Sequence, residues 1–552
     1  MWPGMNVAAP TAHLSEYASH YRDFQWNLPE RYNIGVAVCD QWASREPDRP
    51  ALLAFDGLQR ALTFGELAAQ SNRLANGLAT LGVKRGDRVA MLLPQGFETL
   101  IGHVATYKLG AIAVPLALLF GPDALEFRLR FSGATAVITN AAGAHTIAAL
   151  RQQLPGLRHV IVVDGEGEGD VDLRALIAAA SPEFSPADTT PDDPALMIFT
   201  SGTTGPPKGA LHGHRVLLGH LPGAQMAYDF MPRDGDVMWT PADWAWAGGL
   251  LNALFPALTF GVPVAFGRFE RFQPEIALSL MEKLGVTLAF LPPTAIRMMR
   301  AQPAAFAGRN LKLRAIMSAG EQLGRETFDW AQQAFGFPVN EFYGQTECNL
   351  VVGSSSLLGA TRPGATGKPV PGHSVAVIDG EGNEKPAGEV GQIAVRSPDP
   401  VMFLGYWRDE DATARKFLGD WMITGDQGHI DADGFIHFFG RDDDVITSAG
   451  YRIGPGEIED CLISHPAIKL AAVVGKPDQM RTEMVKAYVV LRDGFEAGGD
   501  LADDIKRWVR DRLSAHEYPR EIEFVAEIPL TTTGKVIRRH FRELARMEAA
   551  QV

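Results

Sequence analysis

The sequence predicts an α/β protein with a large N-terminal domain, residues 1–442, and a small α+β domain, residues 443–552. Two observations support this division. From Ala51 onward, short apolar stretches typical of buried strands alternate with helical patterns, which indicates layered and mostly parallel sheets. The polar stretch Gly440–Asp444 then separates two apolar regions, as a domain boundary does.

The predicted elements follow this alternation along the chain. In the large domain they are a helix from Leu67, strand 88–93, helix 97–109 and strands 111–115, 136–139, 159–163, 195–199 and 315–317. The stretches 164–172 and 181–194 are rich in acidic, glycine, serine or proline residues and are predicted to be loops. In the small domain they are strand 445–446, helix 455–465, strands 470–474 and 484–491, helix 501–513 and strand 522–524.

Composition narrows the class of protein. A chain of 552 residues can form more than one hydrophobic core, and its net charge of -14 argues against a general nucleic-acid partner. Cys39, Cys348 and Cys461 lie far apart, so we expect no disulfide framework or zinc site. We also expect no secretory signal, no integral membrane segment and a cytoplasmic location. The sequence makes no prediction about oligomeric state.

The stretch Met197–Gly209 combines hydroxyls, glycines and one lysine directly after a predicted buried strand. Glycines allow main-chain N–H groups to turn toward one point, and Lys208 adds a positive charge, so the stretch suits phosphate oxygens. It is not a Walker A loop, because no glycine directly precedes the lysine and Pro206-Pro207 prevents an immediate helix. The phosphate-binding candidates are Thr200, Ser201, Gly202, Thr203, Thr204, Gly205 and Lys208.

A second motif, Glu341–Glu347, places a hydroxyl beside a carboxylate. Thr346 can reach a phosphate oxygen and Glu347 can hold Mg²⁺, since this hard cation prefers carboxylates together with substrate phosphates. Tyr343 can stack on a purine. Upstream, Gly320 follows a predicted strand, and a glycine there lets a flat ring approach the backbone.

Three tryptophans lie within eight residues of one another, beside a glycine pair. Trp239, Trp244 and Trp246 precede Gly248, which is typical either of an aromatic-walled cavity or of ordinary core packing. The sequence alone favours neither alternative.

Two more motifs follow, at Trp421–Asp426 and Pro529–Lys535. Together the motifs resemble, in their residues and their order, those of the AMP-forming acyl- and aryl-CoA synthetases of the adenylate-forming superfamily. The chain is most similar to the medium-chain acyl-CoA synthetase group. The resemblance implies a small barrel-like subdomain in the large domain and a mobile C-terminal lid that turns at Asp443. It also implies ATP, CoA and a small-molecule carboxylic acid as substrates, with Mg²⁺.

The resemblance further implies roles for single residues. Lys535 is the match of a lysine essential for adenylation, and Asp426 matches an aspartate that accepts both ribose hydroxyls. The further implied nucleotide-binding positions are Gly320, Glu321, Glu341, Tyr343, Gly344, Arg441 and Arg452. The implied CoA positions are Ala449, Gly450, Tyr451, Arg481, Arg510 and Arg520, and the implied acyl pocket is formed by Trp244, Trp246, Gly248 and Gly344.

Gly344 carries a prediction about substrate size. Acetate-specific relatives place a tryptophan at this position, so a glycine is expected to leave the pocket open. The expected substrate is therefore a medium-chain, branched or aromatic acid larger than acetate.

The expected reaction has two steps, formation of an acyl-adenylate and transfer of the acyl group to CoA. Lys535 also resembles sites of reversible acetylation, which implies an acetyltransferase and a deacetylase as partners. The alternatives are an acetyl- or propionyl-CoA synthetase, a carrier-protein-dependent adenylation enzyme, a luciferase-like oxygenase and a non-catalytic nucleotide sensor. Retention of both Glu347 and Lys535 argues against the sensor.

Overall fold

The computed structural model describes residues 17–58, 60–165, 171–200, 207–269, 271–441, 444–448, 451–478, 482–513, 518–531 and 535–549. The strands up to residue 213 are β1 (Pro50–Ala54), β2 (Ala61–Thr63), β3 (Arg88–Leu92), β4 (Ile112–Pro115), β5 (Ala134–Thr139), β6 (His159–Val162), β7 (Val171–Asp172), β8 (Pro194–Thr200) and β9 (Lys208–Gly213). The helices up to residue 227 are α1 (Tyr17–Asp23), α2 (Gln41–Ala43), α3 (Phe64–Thr80), α4 (Phe97–Lys108), α5 (Pro122–Ser132), α6 (Ala141–Ala149), α7 (Leu173–Ala179) and α8 (Arg215–Ala227).

The remaining elements follow in the same alternation. The strands are β10 (Met238–Trp239), β11 (Val264–Phe266), β12 (Leu288–Phe290), β13 (Ala315–Ala319), β14 (Asn340–Tyr343), β15 (Val352–Gly353), β16 (Lys368–Pro369), β17 (Val375–Ile378), β18 (Gly391–Arg396), β19 (Gly405–Tyr406), β20 (Phe417–Leu418), β21 (Trp421–Ile430), β22 (Ile436–Arg441), β23 (Ile446–Ser448), β24 (Tyr451–Ile453), β25 (Ile468–Asp478), β26 (Thr482–Leu491) and β27 (Glu521–Phe524). The helices are α9 (Ala247–Gly249), α10 (Phe255–Thr259), α11 (Pro274–Lys283), α12 (Pro293–Arg300), α13 (Arg325–Phe335), α14 (Glu410–Ala414), α15 (Pro455–Ile463), α16 (Gly499–Arg512) and α17 (Arg538–Ala549). Short π-helical turns cover Val36–Asp40 and Leu250–Leu254, and 3₁₀ turns cover Arg151–Gln153 and Pro303–Phe306.

Two large sheets form the layers of the N-terminal region, which confirms the predicted fold class. An 8-stranded sheet has the order β19-β9-β8-β4-β3-β5-β6-β7, and a 9-stranded sheet has the order β16-β15-β14-β13-β12-β10-β11-β1-β2. Their central strands are parallel, because helices connect one strand to the next. Strand β1 joins its sheet by pairing with β11, so that Leu52 lies opposite Val264.

Local sequence explains where the helices start. At α3 the Thr63 hydroxyl accepts a hydrogen bond from the Glu66 N–H, and the Glu66 carboxylate accepts one from the Thr63 N–H, a capping box. One boundary differs from the sequence prediction, because the loop expected at 164–172 ends in the short strand β7. The segment before β1 contributes to the core, since Ile34, Val38 and Cys39 are fully buried.

A smaller sheet and the C-terminal region complete the fold. The subdomain expected to be barrel-like is an antiparallel sheet of five strands, β17, β18, β20, β21 and β22. The C-terminal region has a separate sheet, β24-β23-β26-β25 with β27 beside β26, and its helices cover an apolar core of its own. The three cysteines are free, and no described helix has the length and apolar character needed to span a bilayer.

Four histidines of the large domain are buried in the neutral state. Burial lowers the pKa of His103 and His212 to about 3 and that of His214 and His220 to about 4. Neither ring nitrogen of His212 has a hydrogen-bond partner. Protonation of these rings is therefore linked to unfolding.

We predict that stability falls as the pH is lowered through the ordinary histidine pKa of about 6.5. Below that value the unfolded chain binds protons that the folded chain rejects, at a cost of about 1.4 kcal/mol per pH unit for each buried ring. Urea unfolding of wild type, His212→Asn and the exposed-site control His145→Asn, between about pH 7 and pH 5, measures this slope. His212→Asn should reduce the slope of unfolding free energy against pH by the amount due to one proton. Equal slopes in His212→Asn and His145→Asn would contradict the prediction.

Candidate active site

The candidate phosphate loop closes the β8–β9 hairpin. Thr200 lies opposite Lys208 in the antiparallel register, and the Thr200 hydroxyl is 3.4 Å from the Lys208 carbonyl oxygen. A strand rather than a helix follows the loop, as Pro206-Pro207 requires. Five of the predicted loop residues lie outside the described residues, namely Ser201, Gly202, Thr203, Thr204 and Gly205.

Tyr406 joins the phosphate loop to the second motif. It lies in β19, directly opposite Ala210 of β9, and the Lys208 Nζ is 5.0 Å from the centre of its ring. The Tyr406 hydroxyl donates to Glu347 Oε1, and Glu347 is only 7% exposed. Burial, and next the Glu347 charge, raise the pKa of Tyr406 above its ordinary range. The structure thus brings Lys208 and Glu347 to the same site through a residue that no motif indicated.

Asp426 lies at the centre of a hydrogen-bonded cluster. Its Oδ2 accepts the Tyr343 hydroxyl at 2.6 Å and the Gln345 side-chain amide at 3.2 Å, and across the β21–β22 pair it faces Arg441. Burial raises the pKa of Asp426, although the hydrogen bond from Tyr343 and the positive charge of Arg441 oppose that rise. Among the described residues none donates to Oδ1, so one carboxylate oxygen can accept a ligand hydroxyl.

Gln345 and Lys416 are further members of the cluster that sequence reasoning missed. The Lys416 Nζ donates to Gln345 Oε1 at 2.7 Å and lies 3.2 Å and 3.3 Å from the carbonyl oxygens of Ile423 and Thr424. These contacts hold the Gln345 amide toward Asp426. Gln345 lies inside the recognised motif, whereas Lys416 lies in a segment without a motif.

The loop after β13 carries Gly320 and Glu321. Gly320 has φ +101°, which a side chain would strain. The Glu321 carboxylate accepts the Thr294 hydroxyl at 3.0 Å and the Arg297 guanidinium at 2.9 Å. These two contacts fix the carboxylate beside the nucleotide candidates.

Glu341 supports this loop from the neighbouring strand. Its Oε1 accepts the Leu323 N–H at 3.1 Å, and burial raises its pKa to about 7. Through this hydrogen bond Glu341 holds the loop after β13 in place. The resemblance had implied a nucleotide-binding role for this residue.

The Glu321 and Asp426 carboxylates are the negative charges that act on the Lys535 ammonium. Desolvation by the surrounding protein lowers the pKa of Lys535 below the ordinary lysine value, and the Glu321 and Asp426 charges oppose this. The positive charges of Arg441 and Arg538 lower it further. Lys535 nevertheless remains an exposed residue. The residue predicted to be essential for adenylation is therefore coupled electrostatically to the nucleotide candidates.

Gly344 lies against the backbone of the turn that follows it. A Cβ at this position would lie 1.1 Å from the Asn349 carbonyl oxygen, because the turn from Gln345 to Asn349 folds back against it. The glycine is explained by this close backbone approach, so it lends no support to the predicted open acyl pocket. Thr346 and Glu347 lie on the same turn, and its geometry therefore orients both side chains.

We predict that Gly344→Ala displaces this turn and lowers adenylation about tenfold or more with acetate and with longer acids alike, since small displacements of positioning groups can cost as much as about 100-fold. ATP–pyrophosphate exchange with acetate and octanoate measures the effect. The control is Gly156→Ala, where a Cβ would meet no atom within 4 Å. A loss confined to octanoate would instead support a pocket at Gly344.

The predicted acyl-pocket residues separate into two groups. Trp244 is 1% exposed and packs in the main core, with its ring centre 6.1 Å from that of Phe266, so core packing explains it. Trp246 is partly exposed and meets Phe120 edge to face at 5.7 Å. A Cβ on Gly248 would lie 2.9 Å from the Phe290 ring. Phe290 is buried in the same core as Trp244, so Trp246 and Phe120 remain as candidate aromatic walls.

The predicted CoA residues are not brought together by the described part of the chain. Arg510 is exposed beside Asp511, and Arg520 stacks on the Tyr518 ring at 4.2 Å. Ala449, Gly450, Arg481 and the predicted pivot Asp443 lie outside the described residues, as do the side chains of Tyr451 and Arg452.

Comparison with known proteins identifies the class. Residues 39–407 match the AMP-binding enzyme family, and residues 457–535 match the AMP-binding enzyme C-terminal domain. The chain is 34% identical over 545 residues to the acetyl-coenzyme A synthetase of Bacillus subtilis strain 168, covering 95% of this chain and 94% of that protein. It is 33% identical over 550 residues to the mitochondrial acyl-coenzyme A synthetase ACSM3 of Mus musculus, covering 97% and 94%.

A solved structure supports the same assignment. The anthranilate CoA ligase AuaEII in complex with anthranoyl-AMP superposes with a TM-score of 0.86 at 29% identity, covering 95% of this chain and 99% of that one. The chain therefore belongs to the AMP-binding, adenylate-forming enzymes. Within them it is an AMP-forming ligase of the acyl- and aryl-CoA synthetase class, whose substrates are ATP, CoA and a small carboxylic acid.

Proposed function

We propose that this chain converts a carboxylic acid larger than acetate, either medium-chain, branched or aromatic, into its CoA thioester. The observation that carries the mechanism is the cluster in which Asp426 accepts the Tyr343 hydroxyl and the Gln345 amide and faces Arg441, with the charge of Lys535 acting on it. This juxtaposition supports a nucleotide site that is completed by the C-terminal region. Trp246 and Phe120 support an aromatic lining for the acid.

In the first step a carboxylate oxygen of the acid attacks the α-phosphorus of ATP. The new P–O bond forms as the bond to pyrophosphate breaks, giving acyl-adenylate and free pyrophosphate. Such a transfer depends on positioning and charge neutralisation. Lys208 and the loop after Thr200 would hold the β- and γ-phosphates, Asp426 the ribose and Tyr343 the adenine. Lys535 would offset the charge that develops between the carboxylate and the α-phosphate.

Glu347 and Thr346 fit Mg²⁺. Glu347 is buried, its Oε1 takes the Tyr406 hydroxyl, and among the described residues none donates to its Oε2. One buried carboxylate oxygen beside a hydroxyl is a donor set that this cation accepts together with phosphate oxygens. When bound, the ion would neutralise phosphate charge.

In the second step the CoA thiolate attacks the acyl carbon, and AMP leaves with the electron pair of the C–O bond. We propose that the lid, residues 443–552, turns at Asp443 for this step, removing Lys535 and bringing Ala449, Gly450 and Tyr451 toward the pantetheine path. Arg452, Arg481, Arg510 and Arg520 stay as predictions for nucleotide or CoA phosphates.

Two finer predictions belong to the same proposal. Acetylation of Lys535 would remove the charge that adenylation uses, and its exposed surface is compatible with access by a modifying enzyme. A cytoplasmic location stays a prediction from the sequence.

The test is AMP release from ATP and CoA with acetate, butyrate, isobutyrate, hexanoate, octanoate and benzoate. We expect turnover of the larger acids to exceed that of acetate. A preference for acetate or propionate would favour the alternative suggested by the similarity to the Bacillus enzyme. Release of pyrophosphate without acyl-CoA would indicate a different acceptor, such as a carrier protein.

A further inference from the structure

The C-terminal helix is tied to the chain next to the predicted pivot. Arg538, the first residue of α17, donates from Nε to Glu459 Oε1 at 2.8 Å, and its guanidinium lies 3.5 Å from Asp444 Oδ2. Arg542, one turn further along α17, also pairs with Asp444. Asp444 and Glu459 are each only 10% exposed. The four side chains form a network, which we call the pivot network.

The pivot network differs from ordinary surface ion pairs, which contribute little because water and salt screen them. Its carboxylates are largely shielded from solvent, and a planar guanidinium can bind two acceptors in a fixed geometry. Glu459 is also fixed from the other side, because its Oε1 accepts the Val473 N–H of β25 at 2.9 Å. The arginine at the start of α17 is therefore held by both the pivot region and the lid sheet.

The rest of α17 is anchored as well. Phe541 stacks on Tyr488 with ring centres 4.4 Å apart, and Glu548 accepts Lys476 at 2.9 Å and Lys486 at 2.6 Å. Lys535 precedes the helix, and its carbonyl oxygen accepts the Thr531 N–H at 2.7 Å while its N–H donates to the Thr531 hydroxyl at 3.0 Å. These two hydrogen bonds and the anchored helix hold the Lys535 backbone relative to the pivot.

We propose that Arg538 is a positioning residue for adenylation, because it joins the pivot region to the segment that carries Lys535. The inference rests on the proposed function, since it assigns Lys535 to the first half-reaction only. Asp444, Glu459 and both arginines lie in the predicted lid and would move with it. The pivot network therefore makes rotation at the pivot deliver Lys535 as part of one body.

The test compares Arg538→Gln with the matched control Arg539→Gln. Arg539 is the next residue of α17, is exposed, and pairs only with Glu543 at 2.8 Å among the described residues. Adenylation is measured by ATP–pyrophosphate exchange, and thioester formation by supplying synthetic acyl-adenylate with CoA. Arg538→Gln should lower the kcat of ATP–pyrophosphate exchange about 10- to 100-fold. The KM for ATP and the rate of thioester formation should stay close to wild type. Arg539→Gln should change neither.

Two further measurements distinguish a positioning role of Arg538 from a general loss of lid stability. Asp444→Asn should reproduce the selective loss, and the double variant Asp444→Asn with Arg538→Gln should lose little more than either single variant. Amide hydrogen exchange of the segment from Lys535 to Phe541 should accelerate in Arg538→Gln and not in Arg539→Gln, whatever reaction the enzyme catalyses.

Equal loss of both half-reactions in Arg538→Gln would overturn the proposal, because it would indicate general lid destabilisation. An unchanged rate of amide hydrogen exchange from Lys535 to Phe541 in Arg538→Gln would also overturn the proposal. Failure of the wild-type chain to form acyl-CoA with any acid would instead contradict the proposed function, and the amide measurement would still decide the role of Arg538.

Discussion

Lys535→Ala is expected to lower acyl-adenylate formation by about 10²–10³-fold or more, in line with the loss of one group that stabilises transition-state charge. The Lys535 ammonium is coupled electrostatically to Asp426 and Glu321, and alanine removes both its charge and its reach. Thioester formation from supplied acyl-adenylate should stay close to wild type, because the proposed lid rotation removes Lys535 before that step. ATP–pyrophosphate exchange and CoA consumption measure the two steps separately.

The control for this variant is Lys469→Ala, which removes an exposed lysine of the same region. Loss of both steps in Lys535→Ala would contradict the assignment of the residue to one half-reaction. A pH profile adds an independent check. Since burial lowers the pKa of Lys535, adenylation should decline on the alkaline side earlier than an ordinary lysine would allow.

Asp426→Asn is expected to weaken nucleotide use by about 10- to 150-fold in kcat/KM, the effect of losing a hydrogen bond to a charged group worth about 1.5–3 kcal/mol. The amide keeps the size of the side chain and can still accept the Tyr343 hydroxyl, but it presents one acceptor oxygen instead of two. It also removes a negative charge that faces Lys535 and Arg441. Steady-state kinetics with ATP and with 2′-deoxyATP measure the loss.

The two nucleotides make this prediction specific. If Asp426 accepts the ribose hydroxyls, the wild type should lose activity with 2′-deoxyATP, and Asp426→Asn should lose little more with it than with ATP. Asp420→Asn, an exposed residue just before the same strand, is the control. Fully additive losses would indicate that Asp426 acts by supporting Tyr343 and Gln345 and not by binding ribose.

Much of the fold and part of the site could be predicted from the sequence, because local patterns determine both. The strands before Thr200 and Gly320 were evident from apolar runs, and the motifs located Glu347, Asp426 and Lys535. Tyr406 and Lys416 could not be found in this way, since each reaches the site only through strand pairing or side-chain contacts that sequence patterns do not record.

Gly344 shows a different limit. The sequence shows a glycine here, but not what a side chain at this position would meet. That depends on how the next turn folds back, and the turn places the Asn349 carbonyl oxygen where a Cβ would lie. Trp244 is a similar case, because an aromatic cluster in a sequence does not reveal which ring is enclosed by the core. Both cases concern where a side chain points, which tertiary packing decides.

The pairing of β1 with β11 has a consequence for how this protein is made. Leu52 finds its neighbour Val264 only after more than two hundred further residues have been synthesised. At ribosomal rates this delay is roughly 10–40 s, during which β1 can pair with β2 but its other edge lacks β11. Newly made chains should therefore depend on chaperones until β11 emerges, and expression at reduced translation rates should prolong that dependence.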